Sequence, residues 1–116
     1  MKFLVILNDA PYGTERSYNG LRLAGSLGKS PDNEVRVFLM GDAVTCAKAG
    51  QKVPQGFYNV ELMVSRVIGN KGQVGLCGTC MDARALTPTE IAGGTHRSSM
   101  EELTQWTQAA DKVVVF

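Results

Sequence analysis

The sequence lacks the long apolar runs and the charge imbalance that mark two large classes of protein. No stretch approaches the roughly 18 consecutive apolar residues of a membrane-spanning helix. Twelve basic residues against eleven acidic ones leave a formal net charge of +1 at pH 7, and the charges are spread along the chain. We therefore expect neither nucleic acid nor membrane as a partner.

Cysteine is scarce, since the 116 residues contain only Cys46, Cys77 and Cys80. An odd count, with two of the cysteines three positions apart, is unlike the disulfide framework of a small secreted protein. The apolar run at 3–7 is also shorter than the roughly seven to fifteen residues of a signal-peptide core. We therefore expect a cytoplasmic protein whose cysteines serve redox chemistry, sulfur handling or metal binding.

Residues 1–116 have the length and composition of a single domain, with 44% hydrophobic and 20% charged residues. Apolar runs predict strands at 2–7, 34–40 and 73–76, and shorter ones at 91–95 and 113–116. Helical spacing predicts helices that begin at Thr14, near Phe57 or Asn59, and at Ser98 or Ser99. This alternation predicts an α/β fold, a three-layer α/β/α sandwich with a mainly parallel sheet of about five strands and a central first strand.

The strongest chemical motif is Cys77-Gly78-Thr79-Cys80, which directly follows the strand predicted at 73–76. Ligands of open α/β sheets bind beyond the carboxyl ends of the strands. A thiol at a helix N-terminus has its thiolate stabilised by free backbone N–H groups, so either cysteine is a candidate nucleophile at neutral pH. The alternative is that both are small apolar side chains buried in the core.

Other residues near the same edge of the sheet are weaker candidates for a site. Asp9 and Tyr12 follow the first strand and Asp42 follows the second, so all three are candidates for substrate binding. Turn formation and helix capping explain them equally well. Cys46 is interpreted as a core residue and the single His96 as an isolated surface residue. The loop at 50–56 has no periodicity and is the best candidate for a mobile segment.

No cofactor and no metal site are predicted. A zinc site needs four ligands, and the chain offers one C-x-x-C pair, Cys46 and His96. The segment after the first strand has neither of the glycine-rich patterns that bind phosphate. Dithiol oxidoreductases also carry a C-x-x-C after a strand, so dithiol redox chemistry stays open as an alternative.

Several segments together resemble the DsrE/TusD/YchN-like family of sulfur-relay proteins. They are the N-terminal strand, the run Leu39-Met40-Gly41-Asp42-Ala43-Val44, the cysteine after the third strand, the run at 99–103 and the closing run at 110–116. The resemblance implies one DsrE-like domain over 1–116 that assembles into homo-oligomers, either trimers or hexamers. It also implies sulfurtransferase-like sulfur trafficking through a cysteine persulfide, with sulfur donor and acceptor proteins as partners.

The resemblance suits Cys77 as the persulfide carrier, because Cys77 comes first after the strand. Cys80 would then assist, or resolve the persulfide by releasing sulfide and leaving an internal disulfide. Two other hypotheses stay open, a dithiol redox protein and a non-catalytic oligomeric binding subunit. The candidate contacts of an oligomer are Phe57, Tyr58 and Met63.

Overall fold

A five-stranded sheet, in which every strand runs parallel to its neighbours, organises the computed structural model, which describes residues 1–116. Its strands are β1 (Lys2–Leu7), β2 (Glu34–Leu39), β3 (Gln73–Cys77), β4 (His96–Ser98) and β5 (Lys112–Val115). The order across the sheet is β4-β3-β2-β1-β5. The predicted α/β fold with a parallel five-stranded sheet is therefore confirmed. As predicted, β1 lies inside the sheet, between β2 and β5, although β2 is the middle strand.

Helices connect all the strands. The α-helices are α1 (Arg16–Leu27), α2 (Val60–Gly69), α3 (Gly78–Ala83) and α4 (Met100–Ala109), and two 3-10 helices span Gly41–Ala47 and Pro88–Glu90. None of these helices combines the length and the apolar character that a membrane crossing requires.

The predicted helix starts agree with the structure for α2 and α4 but not for α1. Asn59 caps α2, and Ser99 caps α4, each by accepting a hydrogen bond from a backbone N–H group of the first turn. Thr14 does not cap α1, because its hydroxyl donates to the Asp9 carboxylate at 2.9 Å and the helix begins at Arg16. The Thr14 hydroxyl is therefore bonded to Asp9, in the loop before the helix, instead of capping the helix.

The fourth strand differs from its prediction at 91–95, because β4 is His96–Ser98. In the predicted segment, Ile91 forms only an isolated antiparallel bridge with Lys48. β4 is a three-residue strand at the edge of the sheet, and its pairing with β3 defines it rather than any apolar run of its own. An apolar pattern cannot locate such a strand.

The two faces of the sheet are covered unequally. On one face α1, α2, α3 and the 3-10 helix at 41–47 enclose a core of 19 buried residues. α4 alone covers the other face, where the core consists of Leu4, Phe38, Leu103 and Trp106. Val113 lies beside Leu4 in the sheet register, so this second face also carries Val113 and Val115, which are 42% and 61% exposed. Part of the second face is therefore apolar and open.

The three expected oligomer contacts have different environments. Phe57 is 69% exposed. Tyr58 is half-buried and stacks between the rings of Tyr12 and Tyr18, with centroid distances of 6.0 and 4.0 Å. Met63 is buried in the larger core, so the expectation that it lies on the surface is wrong. Its place in the helical repeat turns it toward the sheet together with Val60.

Gly72 shows how closely the end of α2 and the start of β3 approach. A Cβ at this position would lie 2.9 Å from the Val67 carbonyl oxygen and 3.0 Å from the Val35 carbonyl oxygen. Because backbone atoms cannot easily move aside, we expect Gly72→Ala to lower the free energy of unfolding by about 2 kcal/mol, as measured by urea denaturation.

Gly69→Ala is the matched control for this substitution. Gly69 is the last residue of α2, and nothing lies within 4 Å of the position of its Cβ. Alanine favours the helix, so the free energy of unfolding should stay unchanged or rise by up to about 1 kcal/mol. Equal losses from the two substitutions would contradict the close approach at Gly72.

Candidate functional site

Cys77 and Cys80 lie where β3 passes directly into α3 without a connecting residue. Cys77 ends the strand and occupies the N-cap position of the helix, and Cys80 lies in its first turn. The motif therefore follows a strand and opens a helix, as its sequence position indicated. Both thiols lie at the carboxyl edge of the sheet, where open α/β folds bind ligands.

Cys77 has the more acidic thiol of the pair. Partial burial raises the pKa of Cys77, but hydrogen bonds outweigh this effect and lower the pKa below its usual value. Their donors are the Cys80 thiol, the Thr79 hydroxyl and the backbone N–H groups of the same two residues. The Cys77 sulfur and Thr79 Oγ1 are 3.4 Å apart. These bonds favour the thiolate because the charged sulfur accepts them most strongly.

Cys80 has the opposite tendency. Burial raises the pKa of Cys80, and the hydrogen bond between its thiol and Cys77 raises it further, against an opposing bond from Gly41. The Gly41 N–H donates to the Cys80 sulfur at 3.2 Å. Gly41 has a φ of +59°, a conformation that favours glycine. The two thiols therefore have unequal acidity, and Cys77 loses its proton more readily than Cys80.

Asp42, one of the predicted substrate-binding residues, lies close to Cys80 but is already paired. Arg84 donates to the Asp42 carboxylate at 2.7 and 3.0 Å. The same guanidinium donates to the carbonyl oxygen of Cys80 at 3.1 Å. Asp42 therefore fastens the start of the 3-10 helix at 41–47 to α3, and its role in substrate binding stays a prediction.

A second arginine–aspartate pair lies on the other side of the motif. Arg97 in β4 donates to both carboxylate oxygens of Asp82, at 2.7 and 3.0 Å. It also donates to the carbonyl oxygen of Gly78 at 3.0 Å. The Arg97 guanidinium holds the pKa of the Asp82 carboxyl below its usual value by hydrogen bonding to it. This pair ties the edge strand to α3.

A pocket of about 340 Å³ opens beside Cys77 on the face that α4 covers. Its apolar side chains are Phe38, Met40 and Met100, and its hydroxyl groups are those of Thr79, Ser98 and Ser99. This volume admits a small thiol or one protein side chain. A larger groove of about 540 Å³, lined by 28–34 and 69–71, has Pro31 as its single apolar side chain and contains no cysteine. Of these two cavities, only the pocket beside Cys77 borders a cysteine.

Asp9 and Tyr12, the other two predicted substrate-binding residues, are occupied by contacts within the chain. The Asp9 carboxylate accepts the hydrogen bond from Thr14 described above. The Tyr12 hydroxyl donates to Gln51 Oε1 at 2.6 Å and accepts from the Val60 N–H at 3.1 Å. Neither residue lines the pocket beside the cysteine pair, and their role in binding stays a prediction.

Cys46 is fully buried in the larger core, in agreement with its interpretation as a core residue. Burial raises the pKa of its thiol to about 12. The thiol donates to the carbonyl oxygen of Asp9 at 3.6 Å. Cys46 is therefore an unreactive thiol that packs under the loop after β1.

His96 is not isolated, which corrects its interpretation from the sequence. Its Nε2 forms a hydrogen bond with the carboxylate of Glu102. The same carboxylate accepts from the Ser98 hydroxyl at 2.6 Å, so it links β4 to the first turn of α4. No group of three His, Cys, Asp or Glu side chains converges where it could hold a metal ion.

Comparison with known proteins places this arrangement in a family. The sequence profile of the DsrE/DsrF-like family matches residues 1–116. The chain belongs to the DsrE/DsrF-like family. The resemblance drawn from the sequence segments is thereby confirmed.

Two relatives of this DsrE/DsrF-like chain and one structural neighbour illustrate the match. The protein YchN of Escherichia coli is 40% identical over 116 residues, which cover 99% of this chain and 98% of YchN. The crystal structure of YchN from E. coli has a TM-score of 0.93 over 99% of this chain and 98% of that one. The uncharacterized protein MJ0989 of Methanocaldococcus jannaschii is 34% identical over 100% of both chains. The structure of MTH1491 from Methanobacterium thermoautotrophicum has a TM-score of 0.74 over 99% of this chain and 97% of that one. Because the two sequences are only 11% identical, this match shows the shared fold alone.

The sequence analysis missed the two arginines of the DsrE/DsrF-like site. Arg84 follows Cys80 by four positions, and helical spacing of this kind was the one signal that could have shown it. Arg97 is adjacent to His96 in the sequence, but nothing in the sequence indicates that its guanidinium reaches Asp82. Long-range pairing of this kind becomes visible only in three dimensions.

The unequal burial and acidity of the three thiols predict an order of alkylation. With iodoacetamide at pH 7, we expect Cys77 to react about ten-fold faster than Cys80, and Cys46 to react last. The Cys77 rate should rise with pH and level off below the range of an ordinary thiol, because the pKa of Cys77 is lowered. Site-resolved peptide mass spectrometry measures each rate.

Thr79→Val tests the cause of this reactivity, since it removes the hydroxyl donor to Cys77 and keeps the side-chain shape. We expect the midpoint of the Cys77 pH profile to move upward in this variant. Thr107→Val, which removes a hydroxyl from the last turn of α4, should leave the midpoint unchanged. Faster alkylation of Cys80 than of Cys77 would show that the acidities are assigned in the wrong order.

Proposed function

We propose that this protein is a persulfide carrier that accepts sulfane sulfur on Cys77 from a donor and passes it to an acceptor. The observation that carries the proposal is that the more acidic thiol of the C-x-x-C pair lines a pocket at the carboxyl edge of the sheet. Membership of the DsrE/DsrF-like family supports it as well. A carrier of this kind needs an accessible thiolate and a space beside it for the incoming sulfur.

Loading and unloading are the same exchange in opposite directions. The Cys77 thiolate attacks the sulfane sulfur of the donor persulfide, a new S–S bond forms, and the donor thiolate leaves with the electron pair of the broken S–S bond. In unloading, the acceptor thiolate attacks the terminal sulfur of the Cys77 persulfide, and Cys77 leaves as thiolate. Neither step consumes an oxidant or a reductant.

Cys80 provides a second outcome for the persulfide. Its thiolate attacks the Cys77 sulfur, a disulfide forms between the two residues, and hydrosulfide leaves with the electron pair. A thiol reductant is then needed to restore both thiols. Because the pKa of Cys80 is raised, little of it is thiolate at neutral pH, which slows this reaction and lengthens the life of the persulfide.

We also propose that the protein acts as a homo-oligomer, a trimer or a hexamer, in the cytoplasm. The open part of the second sheet face supports the assembly, because Val113 and Val115 gain an apolar environment when a second copy covers them. The odd number of cysteines, with no disulfide framework, supports the reducing compartment.

Intact mass spectrometry after incubation with inorganic polysulfide tests the carrier. We expect the natural chain to gain the mass of one sulfur atom, which a thiol reductant removes. Cys80→Ser should gain the same mass and keep it longer, because it lacks the resolving thiol. Cys77→Ser should show no gain, whereas Cys46→Ser is the control that should still be loaded. Sulfur gain by Cys77→Ser would move the carrier role to another cysteine.

Dithiol redox chemistry is a second candidate function, because the two thiols of the pair interact and differ in acidity. It predicts a loss of two hydrogens on oxidation that requires both Cys77 and Cys80, with no gain of sulfur from polysulfide. If neither change occurs, a non-catalytic oligomeric binding subunit is the function that remains.

Size-exclusion chromatography with light scattering tests the assembly. We expect the mass of three or six chains for the natural protein. The double variant Val113→Lys with Val115→Lys should shift the mass toward one chain, because burying two lysines is unfavourable. Leu62→Lys is the matched control, since Leu62 is 63% exposed and lies on α2. A monomeric natural protein would refute the assembly.

A further inference from the structure

Arg97 lies closer to the first turn of α3 than a side chain at position 78 would allow. A Cβ on Gly78 would lie 2.8 Å from Arg97 Cζ, and 2.9 Å from both Nε and Nη2. These nearly equal distances to three guanidinium atoms mean that the planar group lies face-on toward the place that a Cβ on Gly78 would occupy. Because Gly78 directly follows Cys77, this contact brings a permanent positive charge close to the thiol.

The contacts of the guanidinium fix it in this place. Its bonds to the carbonyl oxygen of Gly78 and to both oxygens of Asp82 leave it little freedom to turn. Arg97 also pairs with Leu76 in the sheet register, so its backbone is held beside β3. Cys77 and Arg97 also line the same pocket, so the thiol and the guanidinium border a common space.

We propose that Arg97 is a positioning residue for Cys77, and that Asp82 limits the positive charge that Arg97 presents to the Cys77 sulfur. The inference deepens the proposed function, in which Cys77 is the nucleophile. Thiolate nucleophilicity falls as the thiol becomes more acidic, so an unbalanced cation would give more thiolate of lower reactivity. Because Asp82 offsets part of the positive charge of Arg97, Cys77 stays nucleophilic enough to attack the donor and acidic enough to leave later as a thiolate.

The other charged groups around Cys77 are two carboxylates of α4 and one further ion pair. In α4, Glu101 lines the pocket and Glu102 is bound to His96 of β4. Beyond Cys80, the remaining groups form the pair of Asp42 and Arg84. The test below leaves all of these residues in place, so its effects belong to Arg97 and Asp82.

The test measures the rate of alkylation of Cys77 by iodoacetamide against pH in the whole protein, without any sulfur donor. We expect Arg97→Gln to raise the pKa of Cys77 and to slow alkylation at pH 7 roughly three-fold. Asp82→Asn should lower the pKa and speed alkylation roughly three-fold, because the asparagine oxygen still accepts from Arg97 while the opposing charge is gone.

The opposite signs of these effects decide the proposal. Both substitutions break the same ion pair, so a merely structural role would move the Cys77 profile in the same direction for both. Shifts of the same sign, or no shift in either variant, would overturn the proposal. Circular dichroism of each variant shows whether it has folded.

Gly78→Ala tests whether the position of the Arg97 charge matters as well as its presence. Its Cβ displaces the guanidinium while both charges remain, so we expect alkylation at pH 7 to slow roughly two-fold. Arg97→Lys keeps the charge and should restore most of the rate lost in Arg97→Gln. A natural rate in Gly78→Ala would overturn the positioning role.

These readouts stand apart from the persulfide experiment. If Arg97→Gln does not fold, Asp82→Asn and Gly78→Ala still have to shift the profile in opposite directions. Opposite shifts in a protein that never gains sulfur from polysulfide would support the charge pair and reject the carrier function. Sulfur gain with unshifted profiles would support the carrier and reject the charge pair.

Discussion

The direct passage of β3 into α3 is the constraint on which the rest of the site depends. Because no residue separates the strand from the helix, Cys77 is both the last residue of a sheet strand and the residue that precedes the first helical turn. Its sulfur therefore receives hydrogen bonds from the backbone of that turn. Parallel pairing of β3 with β2 and β4 then brings Gly41 and Arg97 to the same junction. The surroundings of both thiols follow from this one connection.

The unequal coverage of the sheet gives the junction access to both faces. Cys77 packs against both cores, whereas Cys80 packs only against the larger one. Cys77 is therefore held from two sides and still borders the pocket beneath α4. A thiol buried wholly in the larger core has the properties of Cys46, whose pKa burial raises to about 12. Position at the boundary between the faces, rather than residue type, separates a reactive cysteine from an inert one.

The sequence was sufficient for the parts of the fold that apolar patterns determine. β1, β2 and β3 are runs of buried residues, and α2 and α4 have capping side chains directly before them, so their places were predictable. β4 was not, because its three residues are half-buried or exposed and pairing alone makes them a strand. The same division applies to the site. The motif located the two cysteines, but the partners of Tyr12 and Asp42 are far away in the sequence.

Two glycines at opposite ends of β3 are under different kinds of constraint. Gly72 faces two backbone carbonyl oxygens and the Val67 side chain, whereas Gly78 faces only the guanidinium of Arg97. A larger residue at position 72 destabilises any chain that keeps this sheet, since the two carbonyl oxygens cannot easily move aside. Position 78 is free to accept a larger residue once Arg97 has changed. Among related sequences we therefore expect residue 72 to be constant on its own, and residues 78 and 97 to vary together.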